Sequence, residues 1–180
     1  VYKRQLIFYV AGQGPDKLGN GSFTIPQLVS ADTGCSNPQS IVLTRDGIIF
    51  QSPKGIYIVN RQLSVEYIGS AVQNYNSETI TSASNLPDQN RVHFTTLSGT
   101  ALIYHTIFNT WTTFSNLPST AGISNQSVWF IAGPKGVGRV NDDAHYDWNN
   151  ESIISTIKTA WISVAGIQGF ARIYGIMVLG

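Results

Sequence analysis

The sequence predicts an all-β protein, and three observations carry that prediction. Ile, Val and Thr, whose branched side chains suit a pleated sheet better than a helix, supply 48 of the 180 residues. Glu, Met and Lys together supply only 9. Turn-forming residues also separate short apolar runs at the spacing of hairpins, namely Asp46-Gly47, Pro53-Lys54-Gly55, Ser98-Gly99 and Gly133-Pro134.

Three regions are predicted along the chain. Residues 1–40 hold an N-terminal strand, Gln5 to Ala11, and a polar loop. Residues 41–140 form a propeller-like blade region, and residues 141–180 form a connector and a C-terminal β-hairpin that belongs to a second sheet. Because the chain opens at Val1 and not at a Met, we expect a segment of a longer protein.

The blade region is predicted from short apolar runs that recur as meanders. Equivalent runs begin at Ile48, Val92 and Val128, and the offsets of 44 and 36 residues are near the repeat length of propeller blades. A single Greek-key β-sandwich also places a strand every 8 to 12 residues, roughly, and stays open as the alternative. The runs are 41–43, 48–50, 56–59, 65–68, 92–94, 101–104, 111–114, 128–131 and 137–140.

Charge and hydropathy exclude two classes of protein. The chain has 11 Lys and Arg against 10 Asp and Glu, and its longest basic cluster is the pair Lys3-Arg4. An autonomous binder of nucleic acid or anionic membrane needs a denser basic surface. The apolar run Ile173 to Gly180 is shorter than the roughly 18 to 20 residues of a membrane-spanning helix, so no span is predicted.

No residue pattern predicts catalysis, a cofactor or a metal site. The single cysteine, Cys35, forms neither an internal disulfide nor a paired-cysteine zinc site. The cluster Asp142 to Asp147 has three carboxylates and one imidazole, but its spacing fits neither an EF-hand nor a zinc signature, and a solvated connector is favoured. His93 and His105 lie in apolar runs and are expected to be packed or rim histidines.

Residues 92–134 contain no Asp, Glu, Lys or Arg. Soluble monomers usually protect exposed sheet edges with charge, so this stretch is expected to have its edges paired, closed in a ring or covered by another subunit. That interpretation favours an assembly component over an enzyme. Interior blades whose outer surface is solvated by Ser, Thr and Asn are the equal alternative.

Aromatic residues are the candidates for packing or for subunit interfaces. The segment Phe108 to Phe114 is similar to the element of propeller blades in which a turn precedes a Trp that packs between adjacent blades. Stacking on sugars or bases would require exposed rings. The candidates are Trp111, Trp129, Trp161 and Phe170.

Three segments together resemble the tail nozzle or tail hub proteins of short-tailed bacteriophages. The first runs from Gly47 to Tyr57, reads GIIFQSPKGIY and is followed by Tyr67 to Gly69, which reads YIG; the second runs from Leu86 to Phe94 and reads LPDQNRVHF. The third comprises Thr159 to Ile162 and Ala165 to Ile173, and is similar to a Trp-Ile, Gly-Leu-Gln-Gly-Phe segment near the end of such proteins. These are packing patterns, and the resemblance covers most of residues 5–180.

The resemblance implies a structural protein of the virion tail. Such subunits form a sixfold homo-oligomeric ring with propeller-like domains below the portal and adaptor, and DNA passes through the central channel. No catalytic residue or cofactor is implied. Because a ring repeats each charge, we expect any DNA contact to come from a few cations, with Arg61, Lys135 and Arg139 as candidates.

A carbohydrate-binding or glycoside-cleaving β-propeller is the alternative function. It is suggested by the aromatic content and by Ser30 to Gly34, which matches the first half of a sialidase Asp-box. Glycoside hydrolysis needs paired carboxylates facing a pocket. The only glutamates, Glu66, Glu78 and Glu151, lie in no motif that indicates pairing.

Overall fold

The computed structural model of the chain describes residues 6–117, 121–134, 136–140 and 152. The chain divides into two units, 1–142 and 143–180, and all described residues except Ser152 lie in the first. The described strands are antiparallel and the helices are two short 3-10 turns, so the all-β prediction is confirmed. The predicted C-terminal hairpin lies outside the described residues.

Thirteen strands form four sheets in the described part of the chain. A small hairpin of β1 (Ile7–Tyr9) and β2 (Gln27–Ser30) opens the chain. Sheet I contains β3 (Asn37–Leu43), β4 (Gly47–Ser52), β5 (Gly55–Asn60) and β6 (Val65–Tyr67). Sheet II contains β7 (Ile80–Leu86), β8 (Arg91–Thr96), β9 (Ala101–His105) and β10 (Thr110–Phe114). Sheet III contains β11 (Ala121–Asn125), β12 (Val128–Gly133) and β13 (Gly136–Arg139).

Sheets I, II and III are successive meanders, because in each sheet the neighbouring strands follow one another along the chain. The 3-10 helix Ser70–Tyr75 lies in the connection from sheet I to sheet II, and the 3-10 helix Pro87–Gln89 lies in the turn between β7 and β8. A Greek-key sandwich requires a strand that returns beside a non-consecutive one. The described residues contain no such return, so these sheets have the strand order of propeller blades.

The first strands of the three sheets lie side by side and run in the same direction. Asn37 at the start of β3 donates from Nδ2 to the Ile80 carbonyl at the start of β7, at 2.6 Å. Asn85 near the end of β7 donates to the Leu43 carbonyl at the end of β3, at 2.9 Å. The backbone N–H of Gly122 in β11 then donates to the Ser82 hydroxyl in β7, at 2.7 Å. This is how first strands are arranged when blades repeat around an axis.

The main core lies between sheets I and II. Successive side chains of a strand point to opposite sides of the sheet, so every second residue faces the neighbouring sheet. Ile49 and Ile58 are paired on the inner side of sheet I, and Phe94 and Leu102 are paired on the inner side of sheet II. The buried members are Val42, Ile49, Ile56, Ile58, Val72, Ile80, Val92, Phe94, Leu102 and Tyr104.

Sheet II is buried on both sides. The side chains of β8 and β9 that point away from sheet I pack toward sheet III, where Trp129 and Ile131 of β12 are buried. His93 of β8 meets the Trp129 ring edge to face, with ring centroids 4.4 Å apart. Sheet II is therefore a middle layer, which explains the nearly continuous burial of β8 and β9, whereas the edge strand β10 is mostly exposed.

Three strands were absent from the sequence prediction. The predicted second and third meanders begin at Val92 and Val128, but the structure starts them one strand earlier, with β7 and β11. These first strands are rich in small residues, reading ITSASNL and AGISN, because neighbouring sheets crowd them. The opening strand is only Ile7–Tyr9, shorter than predicted, and it pairs with β2, the third strand that was not predicted.

Candidate functional site

Sheet I has one large apolar face that no described residue covers fully. Val42 and Ile49 point into the core, so their neighbours Ile41, Leu43 and Ile48 point to the opposite side, and Leu43 is 69% exposed. Phe50, Tyr57 and Tyr67 form a row of rings on the same side as Ile48, with centroids 6.3 and 5.1 Å apart, and the row runs from the buried Phe50 to the exposed Tyr67. We call this surface the open face of sheet I.

The open face of sheet III lies at the other end of the three-sheet array. Trp129 and Ile131 point toward sheet II, so Ile123, Phe130 and Val137 point away from it. Ile123 is 66% exposed and Val137 is 74% exposed. Arg139 pairs with Phe130 and adds the one charge on this face within the described residues.

These two faces were not predicted as site residues, although the sequence holds a signal for one of them. A strand with one solvent-exposed side alternates between apolar and polar residues, whereas the runs 41–43 and 48–50 are apolar at every position. Such runs are typical of strands buried on both sides. The other side of sheet I is covered in part, since Phe50 is buried there, but Ile41, Leu43 and Ile48 stay exposed and are available for a partner.

Two of the three candidate DNA contacts are described, and both are exposed. Arg61 lies in the turn between β5 and β6, where its Nε donates to the Arg45 carbonyl at 2.7 Å. Arg139 ends β13. No hydrogen bond joins these two arginine side chains in the described part of the chain. The third candidate, Lys135, lies outside the described residues.

Topology nevertheless places Arg61 and Arg139 at the same end of the array. In a meander the first and third turns lie at one end, and Gln89 in the first turn of sheet II donates to the Ser127 carbonyl in the first turn of sheet III. Two further arginines, Arg45 and Arg91, lie at this end. Neither was predicted, although the alternation of turns could have identified them. We call Arg45, Arg61, Arg91 and Arg139 the arginine end.

Acidic residues share that end, so its net charge is small. Asp46 follows Arg45 in the first turn of sheet I, Glu66 lies in β6, and Asp88 hydrogen-bonds with the Ser127 hydroxyl. Three carboxylates against four guanidinium groups make a weakly basic surface in a single copy. Repetition in a ring would be needed for firm phosphate binding.

The structure buries the two described tryptophans among the packing candidates. Trp129 is 2% exposed and packs on His93. Trp111 is half-buried between sheets I and II, packs on Tyr104, and donates from Nε1 to the Ile68 carbonyl at 2.8 Å. Neither ring is a free platform for a sugar or a base. Trp161 and Phe170 lie outside the described residues.

A polar cleft opens between sheets I and II at the arginine end, with a volume of about 570 Å³. Asp46 and Glu66 both line it, and together they raise the pKa of the Tyr104 hydroxyl, after burial, which is the larger cause. Asn60 donates to Glu66 at 2.8 Å. No Lys or Arg is among the lining residues, which also include Thr44, Ile58, Tyr67, Ile68, Ser70, Thr106 and Asn109.

The described residues contain no group of three or more His, Cys, Asp or Glu placed to hold a metal ion. The acidic cluster Asp142 to Asp147 lies outside them. Within the same described part, no helix has the length and hydropathy needed to cross a membrane.

The chain matches no protein-family model, and a search of curated proteins finds no similar sequence.

Proposed function

We propose that this protein is a structural component of a bacteriophage virion, a tail nozzle or tail hub subunit that forms a ring around the path of DNA below the portal and adaptor. The single observation that carries the proposal is the pair of exposed apolar faces at the two ends of the three-sheet array. An assembly subunit needs surfaces of this kind, whereas a free monomer exposing both would risk aggregation.

Two further observations support an assembly role. The sequence resembles tail nozzle proteins over most of its length, in segments that the fold uses for packing: Gly47 to Tyr57 forms the β4–β5 hairpin, and Leu86 to Phe94 forms the turn into β8. The uncharged stretch 92–134 includes β9, β10 and all of β8 except Arg91 in sheet II, and much of sheet III. Its lack of charge in β8 and β9 follows from burial, and in sheet III it leaves an apolar face exposed.

The test is the mass and symmetry of the native full-length particle, measured by light scattering and by electron-microscope class averages. We expect a ring with a central channel, sixfold if the resemblance extends to ring order. A compact monomer at micromolar concentration would contradict the proposal.

DNA contact is proposed at the arginine end. Replacing Arg45 and Arg61 together by Ala should reduce retention of DNA in the assembled particle, because each removed cation is lost once per subunit and both lie in turns outside the open faces. Lys54→Ala is the matched control, since Lys54 lies in the β4–β5 turn at the opposite end and pairs with Asp32 at 2.7 Å. Unchanged DNA retention and ejection in the double variant would refute this contact.

A carbohydrate-binding function is the second candidate, and the polar cleft is the observation that favours it. Asp46 and Glu66 both line this one cavity, a pairing that the sequence pattern did not indicate. A glycan-array screen tests it, with Asp46→Asn and Glu66→Gln expected to abolish any signal. Glu78→Gln, a change outside the cleft, is the control; an array without signal for the unaltered protein removes this candidate.

A further inference from the structure

We propose that copies of this chain join head to tail, with the open face of sheet III in one copy packed against the open face of sheet I in the next. The inference rests on the proposed function, in that it takes the chain to be an assembly subunit. It adds which two surfaces meet and in what order.

The packing inside the chain supplies the first argument. Sheet I packs one side on sheet II, and sheet II packs its opposite side on sheet III. The packing order from sheet I to sheet II to sheet III therefore has a direction. It leaves an open face at each end, and these two faces are different surfaces. Joining the end of one copy to the start of the next continues the same kind of sheet-on-sheet contact that the chain already makes twice.

The number and chemistry of the faces supply the second argument, and they favour a second copy over an unrelated partner. A head-to-tail contact consumes one open face of each kind, so identical copies leave none exposed once a ring closes. Both faces are apolar, with exposed Leu43 and Ile48 on one and Ile123 and Val137 on the other. Arg139 is the only charge on either face among the described residues, so no like-charge pair opposes the contact.

The area of one contact between copies explains why the ring must close. Strands of about six residues rise roughly 20 Å, and three or four strands spaced about 4.8 Å apart give a face on the order of 300 to 400 Å². One such contact buries roughly 800 Å² or less in total, below the usual size of a stable interface. A closed ring, in which every copy uses both faces, stabilises what a single pair would not.

Cysteine cross-linking of the full-length particle tests the order of the faces. The native Cys35 is first changed to Ser, and Ile48→Cys and Ile123→Cys are then made as separate variants. Each is assembled alone or mixed in equal amounts with the other, and disulfide dimers are measured on non-reducing gels after mild oxidation. Leu43→Cys and Val137→Cys form a second pair, should either first variant fail to fold.

Head-to-tail packing predicts dimers in the mixture at a level at least tenfold above either variant alone. Leu97→Cys, on the β8–β9 turn of sheet II and 74% exposed like Val137, is the matched control and should give no dimer with either partner. Dimers from Ile48→Cys alone would mean that like faces meet, which overturns the inference and leaves the ring proposal standing.

The remaining outcomes are also decisive. An oligomeric particle without cross-links from either pair overturns the inference, because other surfaces then hold the copies together. A monomeric particle without cross-links contradicts the proposed function itself.

Discussion

His93 is a buried histidine that the fold keeps neutral. It is 4% exposed, it packs on Trp129, and neither ring nitrogen has a hydrogen-bond partner among the described residues. Burial, which is the largest cause, and the nearby Arg91 and His105 together lower its pKa to about 4. A proton on this ring would place an unpaired charge between sheets II and III.

We predict that acid destabilises the protein through His93. Its folded pKa lies below the unfolded value of 6.5, so the unfolded state binds the proton more readily. The free energy of unfolding should therefore fall as pH drops from about 6.5 toward 4, by up to about 3 kcal/mol from this residue. Urea unfolding at pH 7 and pH 4.5 measures the difference.

The variant His93→Leu should lose most of that pH dependence, since Leu cannot be protonated. His105→Gln is the control, because His105 is less buried and its pKa is lowered less strongly; most of the pH dependence should survive this change. If the unaltered protein and His93→Leu lost equal stability on acidification, His93 would not be the cause.

Gln51 is a second residue whose role is set by what it touches. Its buried amide donates from Nε2 to the Glu78 carbonyl at 2.6 Å, and its Oε1 accepts from Asn37 at 3.1 Å and from the Ile80 backbone N–H at 3.4 Å. These contacts join sheet I to the start of β7. The side chain therefore satisfies backbone groups that neither sheet pairs by itself.

Replacing Gln51 by Leu should destabilise the protein by about 1 to 3 kcal/mol, because it leaves buried polar groups without partners. Gln62→Leu, in the exposed turn between β5 and β6, is the control and should change stability by less than about 0.5 kcal/mol. Chemical denaturation measures both. Equal stability of the two variants would show that water replaces the lost hydrogen bonds.

At the scale of elements, sheet III depends on a glycine for its packing on sheet II. Trp129 in β12 lies directly over Gly122 in β11, and a Cβ added at Gly122 would be 2.7 Å from Trp129 Nε1 and 3.2 Å from the next ring atom. The ring is buried and held by His93, so it has little room to move.

Gly122→Ala should therefore destabilise sheet III by about 1 to 3 kcal/mol through overpacking. Hydrogen exchange should show faster exchange in β11 to β13 than in sheet I. Ser124→Ala is the matched control, because it lies on the same side of the same strand and adds no atom. Slowed or unchanged exchange in Gly122→Ala would mean that the Trp129 ring shifts without cost.

Elements differ in how well the sequence predicts them. Strands β4, β5, β8 and β9 are continuous apolar runs between turn residues, and local pattern suffices to identify them. Strands β7 and β11 carry Ser, Gly and Asn and have little strand preference of their own. They are strands because neighbouring sheets need small side chains there, and that requirement comes from tertiary packing.

At the scale of the whole molecule, we predict how assembly through the open faces depends on salt concentration. Apolar contacts are not screened, whereas contacts between arginines and phosphates weaken as salt rises. The mass of the assembled particle should therefore stay constant between 0.05 and 0.5 M NaCl, roughly, while DNA retention falls more than tenfold. Light scattering and a DNA-binding assay on the same samples measure both. Dissociation of the particle in high salt would contradict assembly through the apolar faces.

The candidate sites, like the strands, were predicted from sequence only in part, and the rest depended on tertiary packing. Arg61 and Arg139 could be named from the sequence as isolated cations, but their placement at one end with Arg45 and Arg91 depends on the alternation of turns in three sheets. Asp46 and Glu66 are twenty residues apart and share a cleft only because β3 to β6 form one meander packed on sheet II.

The sequence by itself determined the all-β class, the recurrence of meanders in 41–140 and the uncharged character of 92–134, because strand preference, turn chemistry and charge are local properties of the residues. Only the tertiary structure decided which side of each sheet is covered. An apolar run such as 41–43 has the same composition whether both sides are buried or one is free, and burial depends on how the sheets stack. The stacking of sheets I, II and III therefore decides where the two open faces lie.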